Sequence, residues 1–276
     1  MSDEAAANDA LAESYNRGLA AEAAGDLVAA QTAYHQVLEL DPKDHGGVAI
    51  RLAALGLAPS PAVAPEAYVA TLFDQNAHAF DDMLVEQLGY SVPMLVRERL
   101  DDLGLGPFDK LLDLGCGTGL TGASMLDRVM HVTGVDLSEQ MLDEAAERDC
   151  YDALYVGEAV AFLEDAEMQA LGPWNVITAT DVLPYLGALE RFMAGVQAAL
   201  APGGLIIVST EALPPDEMRG QDYIVGPKRR YAHAFSYLEE LLAAHQLASL
   251  ECLSIIVRYD EGVPITGYLI IAQAPC

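Results

Sequence analysis

The chain has 276 residues, enough for one large α/β domain with a small appendage. Its 14 Lys and Arg against 42 Asp and Glu give a net charge of −28, a surface that repels nucleic acid and anionic membranes and argues against both as substrate or partner. Cys116, Cys150, Cys252 and Cys276 show neither Cys-x-x-Cys spacing nor a nearby His pair, so neither a metal site nor a disulfide framework is indicated, and free thiols suit a reducing, cytoplasmic setting.

The acidic start, Ser2-Asp-Glu4, lacks the basic-then-apolar order of a signal peptide. No uninterrupted apolar run approaches the ~20 residues that span a bilayer. Residues 9–56 read as an Ala-rich helical region. Leu11, Tyr15, Gly18, Leu19 and Ala23 follow helical spacing, and Gly25-Asp26 marks a turn with Asp26 as N-cap. A second helix carries Leu27, Ala30, Tyr34, Val37 and Leu38 and ends before Asp41-Pro42. With Gly18, Ala30, Tyr34 and Pro42 on the appropriate spacing, this segment resembles one tetratricopeptide repeat. Such arrays need about three units to bury a continuous core, so a single one is expected to lean on the rest of the chain or on another chain. It is either a docking or self-association module or a hairpin that thickens the domain. Ala58-Pro-Ser-Pro-Ala-Val-Ala-Pro65 reads as a linker, which divides the chain into 1–57, 58–65 and 66–276.

The apolar residues of Tyr68–Tyr90 fit helices that precede the first strand, within a helical stretch over 66–103. From Lys110 onward strand and helix alternate, the pattern of a parallel sheet covered on both faces. Strands are expected at 110–114, 131–135, 152–156, 175–180, 204–210, 248–258 and 265–273. Helices are expected at 119–127, 138–147, 187–200 and 233–246. The last two strands flank the turn signal Tyr259-Asp-Glu-Gly262 and form an antiparallel pair.

The most informative stretch is Asp109-Lys-Leu-Leu-Asp-Leu-Gly-Cys-Gly-Thr-Gly-Leu120. A buried strand breaks into a loop with Gly115, Gly117 and Gly119 at alternate positions, where positive φ and close approach of a ligand to bare backbone are available. A P-loop needs Lys-Ser/Thr after its last glycine, and Leu120-Thr121 stands there. Gly117-x-Gly119-x-x-Gly122 matches the spacing of a dinucleotide fingerprint, but that register places Asp113 and Gly115 inside the preceding strand. A carboxylate at that strand end would repel a pyrophosphate and suit a cation. The second strand ends in Asp136, 17 residues past Gly119, where an acid can accept both ribose hydroxyls of an adenosine ligand.

Asp113-x-Gly-x-Gly-x-Gly119 followed by Gly134-Val-Asp-Leu-Ser138 resembles motifs one and two of the class I S-adenosylmethionine (AdoMet)-dependent methyltransferases. The likeness continues through Trp174–Tyr185 and Leu200-Ala-Pro-Gly-Gly-Leu205, over roughly residues 70–276. It implies an α/β, Rossmann-like, seven-stranded, mostly parallel sheet of order 3-2-1-4-5-7-6, here with the small all-α N-terminal repeat region. It also implies methyl transfer to O, N or S of a small-molecule acceptor, with AdoMet as cofactor and S-adenosyl-L-homocysteine (AdoHcy) as product. The other readings are a repeat-type adaptor whose AdoMet site is vestigial or regulatory, a protein methyltransferase recruited through the repeat, and a nicotinamide-dependent oxidoreductase. Asp113 and the extra Gly115 count against the last.

The resemblance assigns roles along one rim, outside the carboxyl ends of the strands. Gly115, Cys116, Gly117 and Gly119 cradle the cofactor. Asp113 helps hold its amino group, directly or through the loop. Asp136 holds the ribose or caps the next helix. Leu137 and Met141 flank the adenine or belong to the core, and Glu158-Ala159 lies near the adenine amino group. Thr180-Asp181 stands between cofactor and acceptor, with Asp181 as a candidate catalytic residue. Phe73, Phe80 and Tyr90 either cover the site as a lid or anchor helices to the sheet, and Tyr185 faces the acceptor. Lys228-Arg-Arg230 is the one basic cluster. Arg230 is expected to bind a carboxylate or phosphate of the substrate, and His233 or Tyr231 to take a proton from the nucleophile. No metal is expected.

Overall fold

The structure, a computed structural model, describes residues 3–276, with side chains from residue 7 onward except Glu86. Its centre is a sheet of strands buried on both faces. β1 (Phe108–Leu114), β2 (Val129–Asp136), β3 (Ala153–Val156), β4 (Trp174–Ala179) and β5 (Leu200–Glu211) run parallel in the order β3-β2-β1-β4-β5. Their central residues are apolar almost without alternation, as parallel strands with helices on both sides require. Leu111 and Leu112, adjacent on β1, are both fully buried because each faces a different layer. Leu112 joins Ile177, Phe192 and Leu238 on one face; Leu111 joins Val96, Val176 and Ile207 on the other.

Two further long strands, β8 (Ala248–Asp260) and β9 (Val263–Gln273), form the expected antiparallel pair, and β9 runs antiparallel to β5 over Leu205–Glu211. Counting these seven long strands gives the expected order, 3-2-1-4-5-7-6. A two-stranded branch was not expected. β6 (Tyr223–Val225) and β7 (Tyr231–His233) form a hairpin, and β7 meets the end of β5 in parallel at Glu211 and Ala232. The turn Gly226–Arg230 closes it, with the Gly226 N–H donating to the Arg230 carbonyl at 2.8 Å. The segment carrying the basic cluster is therefore a hairpin packed into the rim, and His233 belongs to a strand instead of opening a helix.

Helices α1 (Asp3–Ala23) and α2 (Leu27–Leu40) make an N-terminal hairpin, followed by α3 (Val48–Ala54). Asp26 caps α2 by accepting from the Ala29 N–H at 3.0 Å. Buried Asp44 caps α3 by accepting from Val48 and Ala49 at 2.6 and 2.9 Å. The hairpin closes on Tyr34, which is fully buried: a β-carbon at Gly18 would lie 2.3 Å from its ring. Gly18→Ala is therefore expected to cost about 1–3 kcal/mol by overpacking. Denaturant midpoints check it, and an unchanged midpoint would mean that the Tyr34 ring moves aside freely.

The region docks on the rim through α3, whose Ile50 and Ala53 pack with Tyr185, Val225 and Tyr231. The Pro-rich stretch after it is no free tether. The Ala64 N–H donates to the Tyr185 carbonyl at 3.0 Å, and the Gly187 and Ala188 N–H groups donate to the Ala62 carbonyl at 2.9 and 2.7 Å. The Tyr231 hydroxyl donates to Pro61 O at 2.9 Å. Next come α4 (Glu66–Asp74), a 3-10 turn at Ala77–Ala79, a π-helical turn at Asp82–Gln87 and α5 (Val92–Asp102). The later helices are α6 (Leu120–Met125), α7 (Glu139–Glu147), α8 (Ala159–Glu164), α9 (Ala166–Gln169), α10 (Glu190–Ala199) and α11 (Phe235–Ala244).

Candidate functional site

At the carboxyl ends of β1, β2 and β4 the chain opens into a cleft of about 920 Å³, counting its open mouth. Its floor is the glycine loop. Gly115, Gly117 and Gly119 have φ of 61°, 54° and 91°. A β-carbon at Gly115 would lie 2.3 Å from Val182 Cγ2, whereas one at Gly117 would meet nothing within 4 Å. The loop is thus packed from below at Gly115 and open at Gly117, a cradle with bare backbone.

Asp136, at the end of β2, ties this loop to the next turn. Its Oδ2 accepts from the Gly117 N–H at 2.8 Å and its Oδ1 from the Ser138 N–H at 2.9 Å. Burial pushes its carboxyl upward against these donors. Ser138, not Asp136, caps α7 by accepting from Met141 N–H at 3.0 Å. Asp136 is left lining the cleft together with Leu137, Glu158 and Ala159. Glu158 also caps α8, accepting from Ala161 N–H at 2.7 Å.

Two expected cofactor residues lie elsewhere. Asp113 is fully buried beneath the loop, its Oδ2 accepting from Tyr151 OH and its Oδ1 from Thr178 OH, each at 2.7 Å. Burial raises its carboxyl to about 6, against those two hydrogen bonds. A carboxylate so engaged does not reach the cleft, so of its two expected roles only support of the loop remains. Met141 is fully buried on the inward face of α7 and is core.

The cover of the cleft comes from the segment before β1. Phe73, Phe80, Tyr90 and Tyr185 all line it. Phe73 meets Phe80 and Tyr185 edge to face at 5.8 and 5.3 Å between ring centroids. Polar ties hold this cover to the loop and to α7. Ser138 Oγ donates to Asp74 Oδ1 at 2.5 Å, Thr118 Oγ1 donates to Asp81 Oδ1 at 2.5 Å, and Arg148 pairs with Asp81. The strap at Val63 and Ala64 and the start of α4 at Glu66 supply one more wall. The sequence pointed to none of these three, because a Pro-rich stretch looks like a tether until its backbone partners are known.

Thr180 and Asp181 stand at the end of β4. Thr180 shares a hydrogen bond with Thr121 at 2.9 Å, and Asp181 adopts φ of 61° while its N–H donates to Ser209 Oγ at 2.8 Å. A non-glycine residue in the left-handed region is strained, and here neighbouring strands hold it there. Both residues line the cleft.

The acceptor-side trio is arranged differently from expectation. Arg230 does not line the cleft. Its guanidinium lies 4.7 Å from the Tyr185 ring centroid, donates to Tyr185 OH at 2.6 Å, pairs with Asp181, and stands 2.6 Å from Glu211. Arg258, nearly buried on β8, lies 2.6 Å from the same Glu211 oxygen. Arg230 is thus a structural partner of Asp181, without a free fork for a substrate anion. Tyr231 is fully buried, with its hydroxyl on Pro61 O. His233 is also buried, with Nδ1 on Thr210 Oγ1 at 2.7 Å and Nε2 on the carbonyls of Leu186 and Gly187 at 2.8 and 3.1 Å. Neither has a lone pair or an exit toward the cleft, so neither serves as the proton acceptor expected from the sequence.

Burial lowers His233 to about 4, despite the two carbonyls that favour its charged form. The unfolded chain takes up this proton below pH ~6.5 and the folded chain only near 4, so stability present above 6.5 is lost as pH falls toward 4. His233→Gln is expected to flatten that acid slope by up to about 3 kcal/mol. Melting temperatures of both proteins from pH 7 to 4 check this; parallel curves would contradict it.

Among the described residues no group of three or more His, Cys, Asp or Glu is placed to hold a metal ion, and no helix is long and apolar enough to cross a membrane. Residues 112–206 match the family model described as a methyltransferase domain. The solved structure of an S-adenosylmethionine-dependent methyltransferase from Clostridium acetobutylicum superposes with a TM-score of 0.53, covering 74% of this chain and all (100%) of that one at 16% identity. This is the fold of the class I methyltransferases. A second such fold, an N-methyltransferase from Bradyrhizobium japonicum in complex with AdoHcy, has a TM-score of 0.51, covering 66% of this chain and 85% of that one at 16% identity. A ubiquinone biosynthesis O-methyltransferase from Caulobacter sp. (strain K31) is 35% identical over 118 residues, which are 42% of this chain and 47% of that protein. The chain thus spans about half the length of the first curated relatives it matches.

Proposed function

We propose that the chain is an AdoMet-dependent methyltransferase that methylates O, N or S of a small-molecule acceptor. The observation that carries the reading is the cleft itself, where the open glycine cradle, Asp136 and an aromatic cover meet at the carboxyl ends of the strands. The residues present fit the cofactor. The gap beside Gly117 admits a ligand against backbone, and among the described residues every charged group lining the cleft is a carboxylate, which suits a cation. Bound AdoMet supplies an electrophilic methyl on a sulfonium and leaves as AdoHcy.

Gly115–Gly119 would hold the methionine end, Asp136 the ribose hydroxyls, Leu137 and Ala159 the adenine faces, and Glu158 the adenine edge. Asp113 positions the loop from beneath. Phe73, Phe80 and Tyr90 exclude water over the reacting end, and Asp181 and Tyr185 orient the acceptor. This task is chiefly alignment, which can supply much of the rate without a dedicated base. Calorimetry with AdoMet and with AdoHcy tests the reading: micromolar binding of both is expected, and binding of neither would overturn it.

A role for the N-terminal hairpin as a tetratricopeptide-like docking or self-association surface is a second reading. Exposed Leu27, Val28 and Leu40 support it. Light scattering on the full chain tests self-association. The free thiols of all four cysteines support a cytoplasmic setting.

A further inference from the structure

The acceptor side of the cleft has an unusual charge balance. Among the described residues its lining contains Glu66, Asp136, Glu158 and Asp181, and no Lys, Arg or His. Asp136 and Glu158 are assigned to the cofactor side, so Glu66 and Asp181 are the carboxylates an acceptor meets, and of these Asp181 already has Arg230 beside it. No further cation among the described residues of this lining is free to receive an anion. Lys228 stands 2.8 Å from Asp260 and 3.4 Å from Glu261. Arg230 lies behind Tyr185 and is shared between Asp181 and Glu211, while Arg258 is shared between Glu211 and, at 3.6 Å, Asp181. The remaining acceptor wall is apolar and aromatic, with Phe73, Phe80, Tyr90 and Val69 foremost.

Resting on the methyltransferase reading, we propose that this cleft takes an uncharged or cationic acceptor with a largely apolar body and turns anionic acceptors away. A carboxylate or phosphate entering it would leave water for a largely apolar wall where, among the described residues, Glu66 is the one acceptor-side charge without a cation beside it, and where no free guanidinium or ammonium replaces the lost hydration. The net charge of −28 adds long-range repulsion in the same sense. An uncharged hydroxyl or amine has a place in the same site. Oδ1 of Asp181 is held by Arg230, and among the described residues its Oδ2 has no hydrogen-bond partner and can accept from an acceptor O–H or N–H. Flat aromatic walls favour an apolar body and, through their faces, a cation. The acceptor wall is partly made by the start of α4 just after the strap, because Glu66 belongs there; its carboxylate sets the charge preference at the mouth.

Three ligands of one shape test this: 4-propylphenol, tyramine and 3-(4-hydroxyphenyl)propionate, which carry tails of charge zero, plus one and minus one. Binding to the AdoHcy-loaded protein is measured by calorimetry. The first two are expected to bind at least tenfold more tightly than the propionate. Glu66→Lys is expected to strengthen propionate binding about tenfold relative to 4-propylphenol; an unchanged ratio would overturn the inference. Equal or tighter binding of the propionate to the unaltered protein would overturn the inference. So would failure of all three ligands to bind while AdoHcy does. Loss of AdoHcy binding itself would instead strike the methyltransferase reading, and the inference would fall with it.

Discussion

Arg258→Ala is expected to destabilise the chain by about 3–5 kcal/mol, the usual cost of leaving a buried charge unpaired. Arg258, Arg230, Asp181 and Glu211 form a neutral group of two cations and two anions, with 6% of Arg258 and 7% of Glu211 exposed. The contacts are close but poorly directed: Glu211 Oε1 lies 2.6 Å from both Arg230 Nε and Arg258 Nη1 without reaching hydrogen-bond alignment with either. Such a group adds little net stability as a whole, yet loss of one member strands a carboxylate that has already left water. The double variant Glu211→Gln with Arg258→Met should therefore cost far less than the sum of its two single variants. Denaturant unfolding of the four proteins measures the coupling. Additive effects, or a single-variant cost below about 1 kcal/mol, would contradict the arrangement. The same reasoning makes Arg230→Ala chiefly a stability variant, since that side chain has no free face toward the cleft.

Asp136→Ala is expected to weaken AdoHcy binding by about 1–3 kcal/mol, or roughly 5- to 150-fold, as for loss of charge-assisted hydrogen bonds. Two effects act together. The variant removes the acceptor proposed for the ribose hydroxyls, and it frees the Gly117 N–H that Asp136 holds at 2.8 Å. Asp136→Asn keeps one carbonyl oxygen for one of the two backbone donors but turns an amide N–H toward the other. It should fall between the two proteins. Titration calorimetry on all three reads the order, and an Asp136→Ala protein with unaltered affinity would remove this carboxylate from the site.

The sheet and the cofactor half of the cleft were legible because each depends on local signals. Alternate glycines after an apolar run encode a positive-φ loop, and the acid at the next strand end, Asp136, lines the same cleft. β1 to β5 read clearly since parallel strands are apolar on both faces. The acceptor half was not legible. His233, Arg230 and Tyr231 look like an exposed basic loop until the hairpin β6–β7 is known, and that hairpin has only three residues a side. Pairing of Ala232 with Glu211 turns the segment inward, which no local pattern states. The strap at Ala62–Ala64 was hidden for a related reason. Its place is set by backbone bonds to Tyr185, Gly187 and Ala188, more than 120 residues away in sequence. Arg258 did carry a signal of its own, because an Arg inside an apolar strand needs a buried anion, and Glu211 on the adjacent part of the sheet provides it.

A crystal structure of the chain with AdoHcy decides whether the cleft is a cofactor site. AdoHcy is expected in the cleft between Gly115–Gly119 and the Phe73–Phe80 cover. Both ribose hydroxyls should lie within hydrogen-bond reach, about 2.6–3.0 Å, of the Asp136 carboxylate, and the sulfur should face Asp181 and Tyr185. AdoHcy bound away from the glycine loop, or with its ribose turned from Asp136, would contradict it.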